Sequence, residues 1–386
     1  MVKAIFYNIF LHKKISCSYN FLGDTMKKII LILFLLIFPM EVVALASSAS
    51  SNVLMDTDSG RIIYSKNMDE KRLIASITKI MTSIIAIENA NVEDVVTVGE
   101  EVLTMYGSNI YIELGEKMTL KNLLYGLMLR SGNDSAIVIA TYVGKTEEKF
   151  VKMMNDKAKR IGMTNTIFNN SHGLDEITQN YSTAKDMAIL STYAMKNQIY
   201  KEIVSTESWR VQSDKKSYYW ENRNKLLKLY AHATGGKTGY TPSSGRTLVT
   251  TATKKNLNLT AVTLNDPNEY NSHIELYEYG FTNYERYLVL DKNDFKIDEN
   301  FYNEKIVINK SFYYPFTKDE VERVNVLVKI IKMENYNDND IVGDVSVFLG
   351  EKEIYKDNVY IKKEKNLNAI QKICKFFIEL FGGTYD

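Results

Sequence analysis

The sequence predicts an α+β protein, in which helices pack on an antiparallel sheet, followed by a small all-β domain and a C-terminal amphipathic helix. Extended patterns occur at both ends of the first part, over residues 52–65 and 246–264, and helical periodicity lies between them. Strands separated from helices in this way favour an antiparallel sheet over repeated βαβ units. The length of 386 residues is also sufficient for two domains.

The predicted sheet is built from two strand pairs. Asn52–Asp56 and Arg61–Ser65 flank the turn cluster Thr57–Gly60, which predicts a hairpin. Arg246–Thr253 and Leu257–Leu264 are predicted to form a second pair joined by a tight turn.

Three helices are predicted between these strand pairs. The first begins at Ser76, and its apolar side chains recur at helical spacing as far as Ile85, which is typical of a core helix. The others cover Leu120–Leu129 and Asp134–Tyr142. The polar residues Ser131–Asn133 interrupt them inside an apolar context, so this interruption is a candidate functional site.

The segments after residue 298 are rich in residues that favour β-strands, which predicts a second, small β domain. Its extended segments are Lys305–Asn309, Val321–Ile331 and Val345–Val359, with a turn at Gly350–Glu351. Apolar residues between Leu367 and Phe381 share one face of a final helix. The predicted parts of the chain are a signal peptide region over 1–46, a first domain over 47–297, a β domain over 298–362 and the helix over 363–386.

The first 46 residues have the pattern of an export signal. Met26–Lys28 is a basic start, Ile29–Phe38 is apolar, and Ala44–Ala46 is a small-residue cleavage pattern. The apolar run is too short to span a bilayer core of about 30 Å as a helix. The protein is therefore predicted to be exported, with its true start at either Met1 or Met26.

Composition and cysteine usage exclude several classes of protein. The net charge of +1 shows no basic excess of the kind that nucleic-acid binding needs, and 45% hydrophobic residues are typical of a folded chain. Cys17 lies in the removable region and Cys374 near the C-terminus, so the mature chain has no internal disulfide.

No metal or other cofactor is predicted. His172, His232 and His273 are the histidines of the mature chain, and no His-x-x-x-His pair or cysteine pair accompanies them. Gly236–Thr238 resembles the end of a phosphate-binding loop, but Ala231 stands where that loop needs glycine.

Three short motifs occur in order along the chain: Ser76–Lys79, Ser131–Asn133 and Lys237–Gly239. Each alone is a weak signal. Ser76 and Lys79 share one face of the first turn of a helix, where the lysine can act as base for the serine. Burial and a neighbouring cation such as Lys237 would lower the pKa of Lys79 enough for that role. The set predicts nucleophilic serine chemistry.

The motifs and their neighbourhoods resemble the penicillin-binding proteins and serine β-lactamases, and more closely the low-molecular-mass D-alanyl-D-alanine carboxypeptidases. The matching stretches are 75–82, 127–134, 172–174, 181–184 and 235–241. Gly132 in the second motif is the choice typical of the carboxypeptidases. The resemblance implies a β-lactamase/transpeptidase-like fold for the first domain.

The resemblance also implies roles for individual residues. Ser76 would form the acyl-enzyme, Lys79 would accept its proton, and Ser131 would relay a proton to the leaving D-alanine. Backbone N–H groups of Ser76 and Tyr240 would form the oxyanion hole. Further substrate-binding positions are implied at Asn133, Lys237, Thr238, Gly239, Tyr240, Thr241 and Arg246, with Arg223 a further candidate for the carboxylate.

The implied activity is removal of the terminal D-alanine from peptidoglycan stem peptides, with β-lactam antibiotics as inhibitors. The terminal helix would attach the enzyme to the outer face of the cytoplasmic membrane. A serine β-lactamase and a non-catalytic wall-binding homologue are the alternatives, although no acidic residue stands out to activate a deacylating water. Stem-peptide specificity, endopeptidase or transpeptidase activity, a vegetative or sporulation role, and oligomeric state are left open.

Overall fold

The computed structural model describes residues 2–7, 47–297, 300, 302–363 and 378. It divides into two compact units between Arg286 and Tyr287, whereas the sequence suggested a boundary after residue 297. The boundary lies earlier in the chain than predicted because Leu290 and Phe295 are buried in the core of the second unit.

The strands are numbered in chain order as β1 (Val2–Tyr7), β2 (Ser51–Asp56), β3 (Ile62–Lys66), β4 (Arg72–Leu73), β5 (Val95–Thr97), β6 (Lys117–Thr119), β7 (Tyr181–Ser182), β8 (Ser208–Gln212), β9 (Ser217–Glu221), β10 (Ala233–Thr241), β11 (Gly245–Lys254), β12 (Leu257–Leu264), β13 (Glu285–Leu290), β14 (Lys305–Val307), β15 (Phe312–Phe316), β16 (Val324–Ile331), β17 (Ile341–Leu349) and β18 (Lys352–Lys362). The α-helices are α1 (Lys79–Asn89), α2 (Leu120–Leu129), α3 (Asn133–Gly144), α4 (Glu147–Arg160), α5 (Ala184–Ala194), α6 (Gln198–Ser205), α7 (Leu226–Leu229), α8 (Glu269–Asn283) and α9 (Lys318–Val321). Short 3₁₀ helices cover Ala75–Thr78 and Glu100–Thr104.

The first unit contains a five-stranded antiparallel sheet in the order β10-β11-β12-β2-β3. The predicted opening hairpin is confirmed as β2 and β3, and the second predicted pair as β11 and β12. Strand β12 pairs directly with β2, so the two ends of the unit meet in the middle of the sheet. This is the antiparallel α+β arrangement predicted from the sequence.

The predicted core helices are also present in this unit. In α1, every residue from Lys79 to Ala86 is buried, because neighbouring helices and the sheet surround it. Helices α2 and α3 match their predicted positions, and Ser131–Gly132 lies in the short break between them. The break is held inside the protein and therefore cannot relax into an exposed loop.

The second unit has a five-stranded sheet in the order β1-β16-β17-β18-β14. Its predicted strands are found with shifted ends, and Val321 belongs to α9 and not to a strand. Gly350 makes the predicted turn with a φ of 61°, which glycine adopts without steric cost. Apolar side chains such as Val345 and Val347 form the core.

Two predicted segments lie outside the described residues. These are the signal peptide region over 1–46, apart from residues 2–7, which form β1, and the terminal helix over 363–386, apart from residues 363 and 378. Among the helices that the structure describes, none has both the length and the hydropathy needed to cross a bilayer.

Candidate active site

Ser76 lies on a tight turn at the start of the central helix. The 3₁₀ helix Ala75–Thr78 leads directly into α1, and Ala75 has a φ of 48°, a strained value for a residue with a side chain. The backbone at Gly173 packs closely against this turn, since a Cβ on Gly173 would lie 2.0 Å from the Ala75 carbonyl oxygen. Ser76 itself is half-buried and faces a cleft.

Lys79 is fully buried directly behind Ser76. Its Nζ donates hydrogen bonds to Ser76 Oγ at 3.0 Å, to Asn133 Oδ1 at 2.7 Å and to the His172 carbonyl oxygen at 2.5 Å. Three acceptors surround the amine, and none of them is a carboxylate. The amine is therefore fixed toward the serine hydroxyl without an ion pair to hold its charge.

The surroundings of Lys79 favour its neutral form. Burial lowers the pKa of Lys79 well below its ordinary value, and the positive charge of Lys237 lowers it further, against the opposing effect of Asp134. In its neutral form the amine keeps two N–H groups for Asn133 Oδ1 and the His172 carbonyl oxygen, and its lone pair, 3.0 Å from Ser76 Oγ, can accept the hydroxyl proton. This is the base that a serine nucleophile needs.

A second buried lysine supports the second serine. Lys237 Nζ donates to Ser131 Oγ at 3.0 Å and to the Thr238 carbonyl oxygen at 2.7 Å. Burial lowers the pKa of Lys237 to about 7, with a further contribution from Arg223. Ser131 has a φ of 65° and lines the same cleft as Ser76, so the first and second motifs converge on one space.

Asp134 holds the loop that covers the second motif. Its carboxylate accepts hydrogen bonds from the backbone N–H groups of Ile110, Tyr111, Ile112 and Ser135. A buried carboxylate with several backbone donors ties a loop firmly to a helix N-terminus. The loop at residues 106–112 is therefore fixed over the start of α3.

Gly239 brings the edge strand β10 into contact with the nucleophile turn. A Cβ at this position would lie 2.4 Å from Thr247 Oγ1, 2.9 Å from Ser76 N and 3.1 Å from Ile77 N. The backbone of the third motif thus lies directly against the Ser76 N–H group. Only glycine permits so close an approach.

The Gly239→Ala substitution should therefore push β10 away from Ser76. We expect the rate of Ser76 acylation to fall about 100-fold, because a displacement of about 1 Å near a reacting atom has that cost. The measurement is the second-order rate of adduct formation with penicillin. Gly99→Ala is the matched control, because its φ is −92° and its Cβ would meet only the Glu101 side chain. An unchanged rate in Gly239→Ala would show that the contact does not position the site.

The cleft in front of Ser76 has a volume of about 700 Å³. Thr238, Gly239 and Tyr240 of strand β10 form one wall. The remaining lining residues are Ser76, Ser108, Ser131, Glu221, Asn222, Arg223, Lys225, Lys228, Leu229, Arg246, Glu269 and Tyr270. The lining includes the cations Arg223, Lys225, Lys228 and Arg246, which suits an anionic substrate.

Four of the seven predicted substrate-binding residues line this cleft, namely Thr238, Gly239, Tyr240 and Arg246, whereas Lys237, Thr241 and Asn133 are buried and do not line it. Thr241 is buried, and its hydroxyl donates to Asp175 Oδ2 at 2.6 Å. Asn133 is also buried, and its amide already bonds Lys79 and the Tyr106 carbonyl oxygen. Neither lines the cleft, so a direct substrate contact for either residue remains a prediction.

Arg246, a predicted substrate-binding residue, lies at the cleft but already forms an ion pair within the protein. Arg246 lines the cleft, and its side chain is 56% exposed while forming an ion pair with Glu269 at 3.3 Å. Its guanidinium also lies 5.8 Å from the centre of the Tyr240 ring.

The part of the chain that the structure describes has no cluster of histidine, cysteine and carboxylate side chains able to hold a metal ion. His172, considered a structural residue from the sequence, contributes its backbone carbonyl to Lys79, and burial lowers the pKa of its ring to about 3.

Comparison with known proteins decides the family. The D-alanyl-D-alanine carboxypeptidase family (peptidase family S11) matches residues 39–268, which include all three motifs. The chain belongs to this family.

Curated members of the family align with the same region. D-alanyl-D-alanine carboxypeptidase DacF of Bacillus subtilis is 36% identical over 258 residues, which are 64% of this chain and 66% of that protein. DacC of Escherichia coli is 34% identical over 252 residues, covering 60% and 61%. The chain thus spans just under two thirds of the length of these relatives.

A solved structure supports the fold of this family member. Penicillin binding protein 5 from Haemophilus influenzae matches with a TM-score of 0.70 and 26% identity, over 85% of this chain and 99% of that one. The predicted transpeptidase-like fold is confirmed.

Sequence reasoning named Arg223 as a candidate but missed several contacts and lining residues of this S11 site. Arg223 donates from Nη1 to Ser108 Oγ at 2.7 Å, and Asp175 bonds Thr241 across 66 residues of chain. Lys225 and Lys228 on the cleft wall were also overlooked. No local pattern marks these residues, because their partners are distant in sequence.

Proposed function

We propose that this protein is a serine-type D-alanyl-D-alanine carboxypeptidase that removes the terminal D-alanine from peptidoglycan stem peptides. The observation that carries the proposal is the buried Lys79 amine 3.0 Å from Ser76 Oγ, at a cleft shared with Ser131. The names of the relatives DacF and DacC support the same activity.

In the proposed reaction, Ser76 Oγ attacks the carbonyl carbon between the two D-alanines while Lys79 accepts its proton. The Ser76 N–H group, beside Gly239, and the Tyr240 N–H group stabilise the developing oxyanion. Ser131, bonded to Lys237, passes a proton to the nitrogen of the departing D-alanine. Water then hydrolyses the ester and regenerates Ser76.

The substrate carboxylate meets the positive end of the cleft in this proposal. Thr238 donates its hydroxyl, Lys237 contributes positive potential from below, and Arg223 with Arg246 supplies guanidinium groups. Gly239 and Tyr240 offer backbone groups to the peptide, while Asn133 and Thr241 support the site from behind. The same geometry would trap a β-lactam as a long-lived ester on Ser76.

Two measurements on the purified protein test the proposal. Intact-mass spectrometry after incubation with penicillin should show one adduct per chain, located on Ser76, and a peptide ending in D-alanyl-D-alanine should release D-alanine. An adduct without D-alanine release would favour a non-catalytic wall-binding protein. Rapid penicillin hydrolysis without a lasting adduct would favour a β-lactamase, and the absence of both reactions would overturn the assignment to serine acyl transfer.

The remaining parts of the chain are assigned by their sequence patterns. We propose that residues 1–46, which include β1, are removed on export, that residues 47–286 form the catalytic domain, and that residues 287–362 form a β domain outside the cytoplasmic membrane. Residues 363–386, with Lys372 and Lys375 beside a Phe-rich face, would lie in the outer interface of that membrane.

Deleting the chain after Asn366 should release the enzyme from membranes without lowering its turnover. The apolar face supplies the binding energy for the interface, and the catalytic groups lie far away in sequence. The measurement is the distribution of the protein between membrane and soluble fractions, with D-alanine release assayed in each. If the truncated protein stays with the membrane, the terminal helix is not the anchor.

A further inference from the structure

The segment 169–180 lies against the nucleophile turn and is fixed to it at two places. Near its start, the His172 carbonyl oxygen accepts a hydrogen bond from Lys79 Nζ. At its end, Asn180 Nδ2 donates to Thr78 Oγ1 at 3.0 Å. We call residues 169–180 the brace, because they hold both the base and the turn that carries the nucleophile.

The brace also bonds to strand β10, through Asp175. Asp175 is buried, and its Oδ2 accepts a hydrogen bond from Thr241 Oγ1 at 2.6 Å. Hydrogen bonds to a carboxylate are shorter and about twice as strong as those between neutral groups. Two residues earlier, a Cβ on Gly173 would lie 3.0 Å from Ser76 N. The brace therefore connects the nucleophile and its base to the strand that forms one wall of the cleft.

Thr241 is the last residue of β10, and β10 is an edge strand of its sheet. The pairing of β10 with β11 ends at Thr241 opposite Gly245, one residue beyond Tyr240. The end of an edge strand is paired on one side only, so it is among the parts of a sheet that open most easily. The proposed oxyanion donor, the Tyr240 N–H group, thus lies where the sheet by itself gives the least support.

We propose that Asp175 is a positioning residue, which through Thr241 holds the Tyr240 N–H group in place for the oxyanion formed on attack by Ser76. Oxyanion donors accelerate acylation because they are preorganised before the reaction, and a misplacement of about 1 Å costs about 100-fold in rate. Asp175 is not among the residues that line the cleft, so it acts through Thr241 and not on the substrate. This inference rests on the proposed function, in which Tyr240 is an oxyanion donor.

The turn that follows β10 does not depend on Asp175. Thr241 N donates to Ser244 Oγ at 3.1 Å, and Ser244 N donates to Thr241 Oγ1 at 3.0 Å, which closes the turn locally. Removal of the Asp175 carboxylate leaves both of these bonds in place. We therefore expect the strand end to move relative to the brace while the turn between β10 and β11 stays folded.

Asp175→Ala tests the positioning role directly. The second-order rate of acylation by penicillin should fall about 30-fold, since loss of one tether should displace the donor by less than the 1 Å that costs about 100-fold. In D-alanine release, kcat and kcat/KM should fall by the same factor with KM unchanged, as expected for an interaction made only in the transition state. Asp175→Asn keeps an acceptor for the Thr241 hydroxyl as a neutral hydrogen bond, so its rate should fall only about fivefold.

The double variant Asp175→Ala/Thr241→Val tests the route of the effect. Thr241→Val alone should lower the acylation rate by a factor similar to that of Asp175→Ala. The double variant should be no slower than the slower single variant, because both substitutions break one contact. Asp69→Asn is the control, since it removes an exposed carboxylate that pairs with Lys185 at 3.4 Å, and its acylation rate should equal that of the wild type. The melting temperature of each variant reports whether it is folded.

A wild-type acylation rate in folded Asp175→Ala would overturn the positioning role, even if the variant melts at a lower temperature. Multiplied losses in the double variant would also overturn it, because they would show that the two residues act independently. In both cases the proposed function stands, provided that the wild type forms the penicillin adduct and releases D-alanine. If the wild type does neither, the proposed function fails and this inference fails with it. If Asp175→Ala does not fold, Asp175→Asn decides, since an unchanged rate in that variant would equally overturn the inference.

Discussion

Ser76→Ala should eliminate both the penicillin adduct and the release of D-alanine. The substitution removes the oxygen that forms the ester and to which the Lys79 amine is hydrogen-bonded. Loss of a catalytic nucleophile lowers kcat by as much as about 10⁶-fold. Intact-mass spectrometry and D-alanine release measure the effect directly.

The fold should survive this substitution, since Ser76 is half-buried and contributes a single hydroxyl. Ser83→Ala is a matched control on the following helix α1, because Ser83 Oγ is buried without a hydrogen-bond partner among the described residues. That variant should keep its activity and melt no lower than the wild type. A penicillin adduct that persists in Ser76→Ala would assign the nucleophile elsewhere.

Lys79→Met should be nearly as damaging to catalysis and should also change how stability depends on pH. A positioned general base contributes about 10²–10⁴-fold to rate, so we expect acylation by penicillin to fall by about 10³-fold. Methionine fills similar space without a titratable group. The acylation rate at neutral pH measures the first effect.

The second effect follows from the lowered pKa of Lys79. Burial, with the charge of Lys237, lowers the pKa of Lys79 in the folded protein, so the folded state releases this proton at a lower pH than the unfolded chain does. The folded state is therefore penalised at low pH, and the penalty disappears as pH rises to the unfolded pKa. The melting temperature of Lys79→Met minus that of the wild type should decrease steadily between pH 7 and pH 10.

Lys157→Met is the control, because the pKa of Lys157 is shifted in the opposite direction to that of Lys79. Burial alone would lower the pKa of Lys157, but hydrogen bonds with Glu88 and Tyr193 raise it above its ordinary value. Its stabilising contribution is complete below the unfolded pKa, so the difference from the wild type should stay constant over the same pH range. If Lys79→Met behaves like Lys157→Met, then Lys79 is charged in the folded enzyme and is not the base.

Much of the fold could be predicted because local sequence patterns determine the positions of its main strands and helices. The alternating strands at 52–65 and 246–264 and the apolar spacing that follows Ser76 belong to elements that bury one face or are fully buried. Their positions in the structure match within a few residues. The boundary of the second unit was placed too late, because the burial of Leu290 and Phe295 depends on a distant sheet and leaves no local signal.

The sequence by itself determined the reacting groups, since Ser76 and Lys79 are three residues apart, on the 3₁₀ turn and at the first residue of α1, and need no tertiary information to meet. Tertiary structure alone decided what surrounds them. Lys237 reaches Ser131 across 106 residues, Asp175 holds Thr241, and Lys225 and Lys228 line the cleft. Burial and nearby charges set the pKa of Lys79, and the lining residues set the shape of the cleft. Both depend on residues that are brought together only by folding.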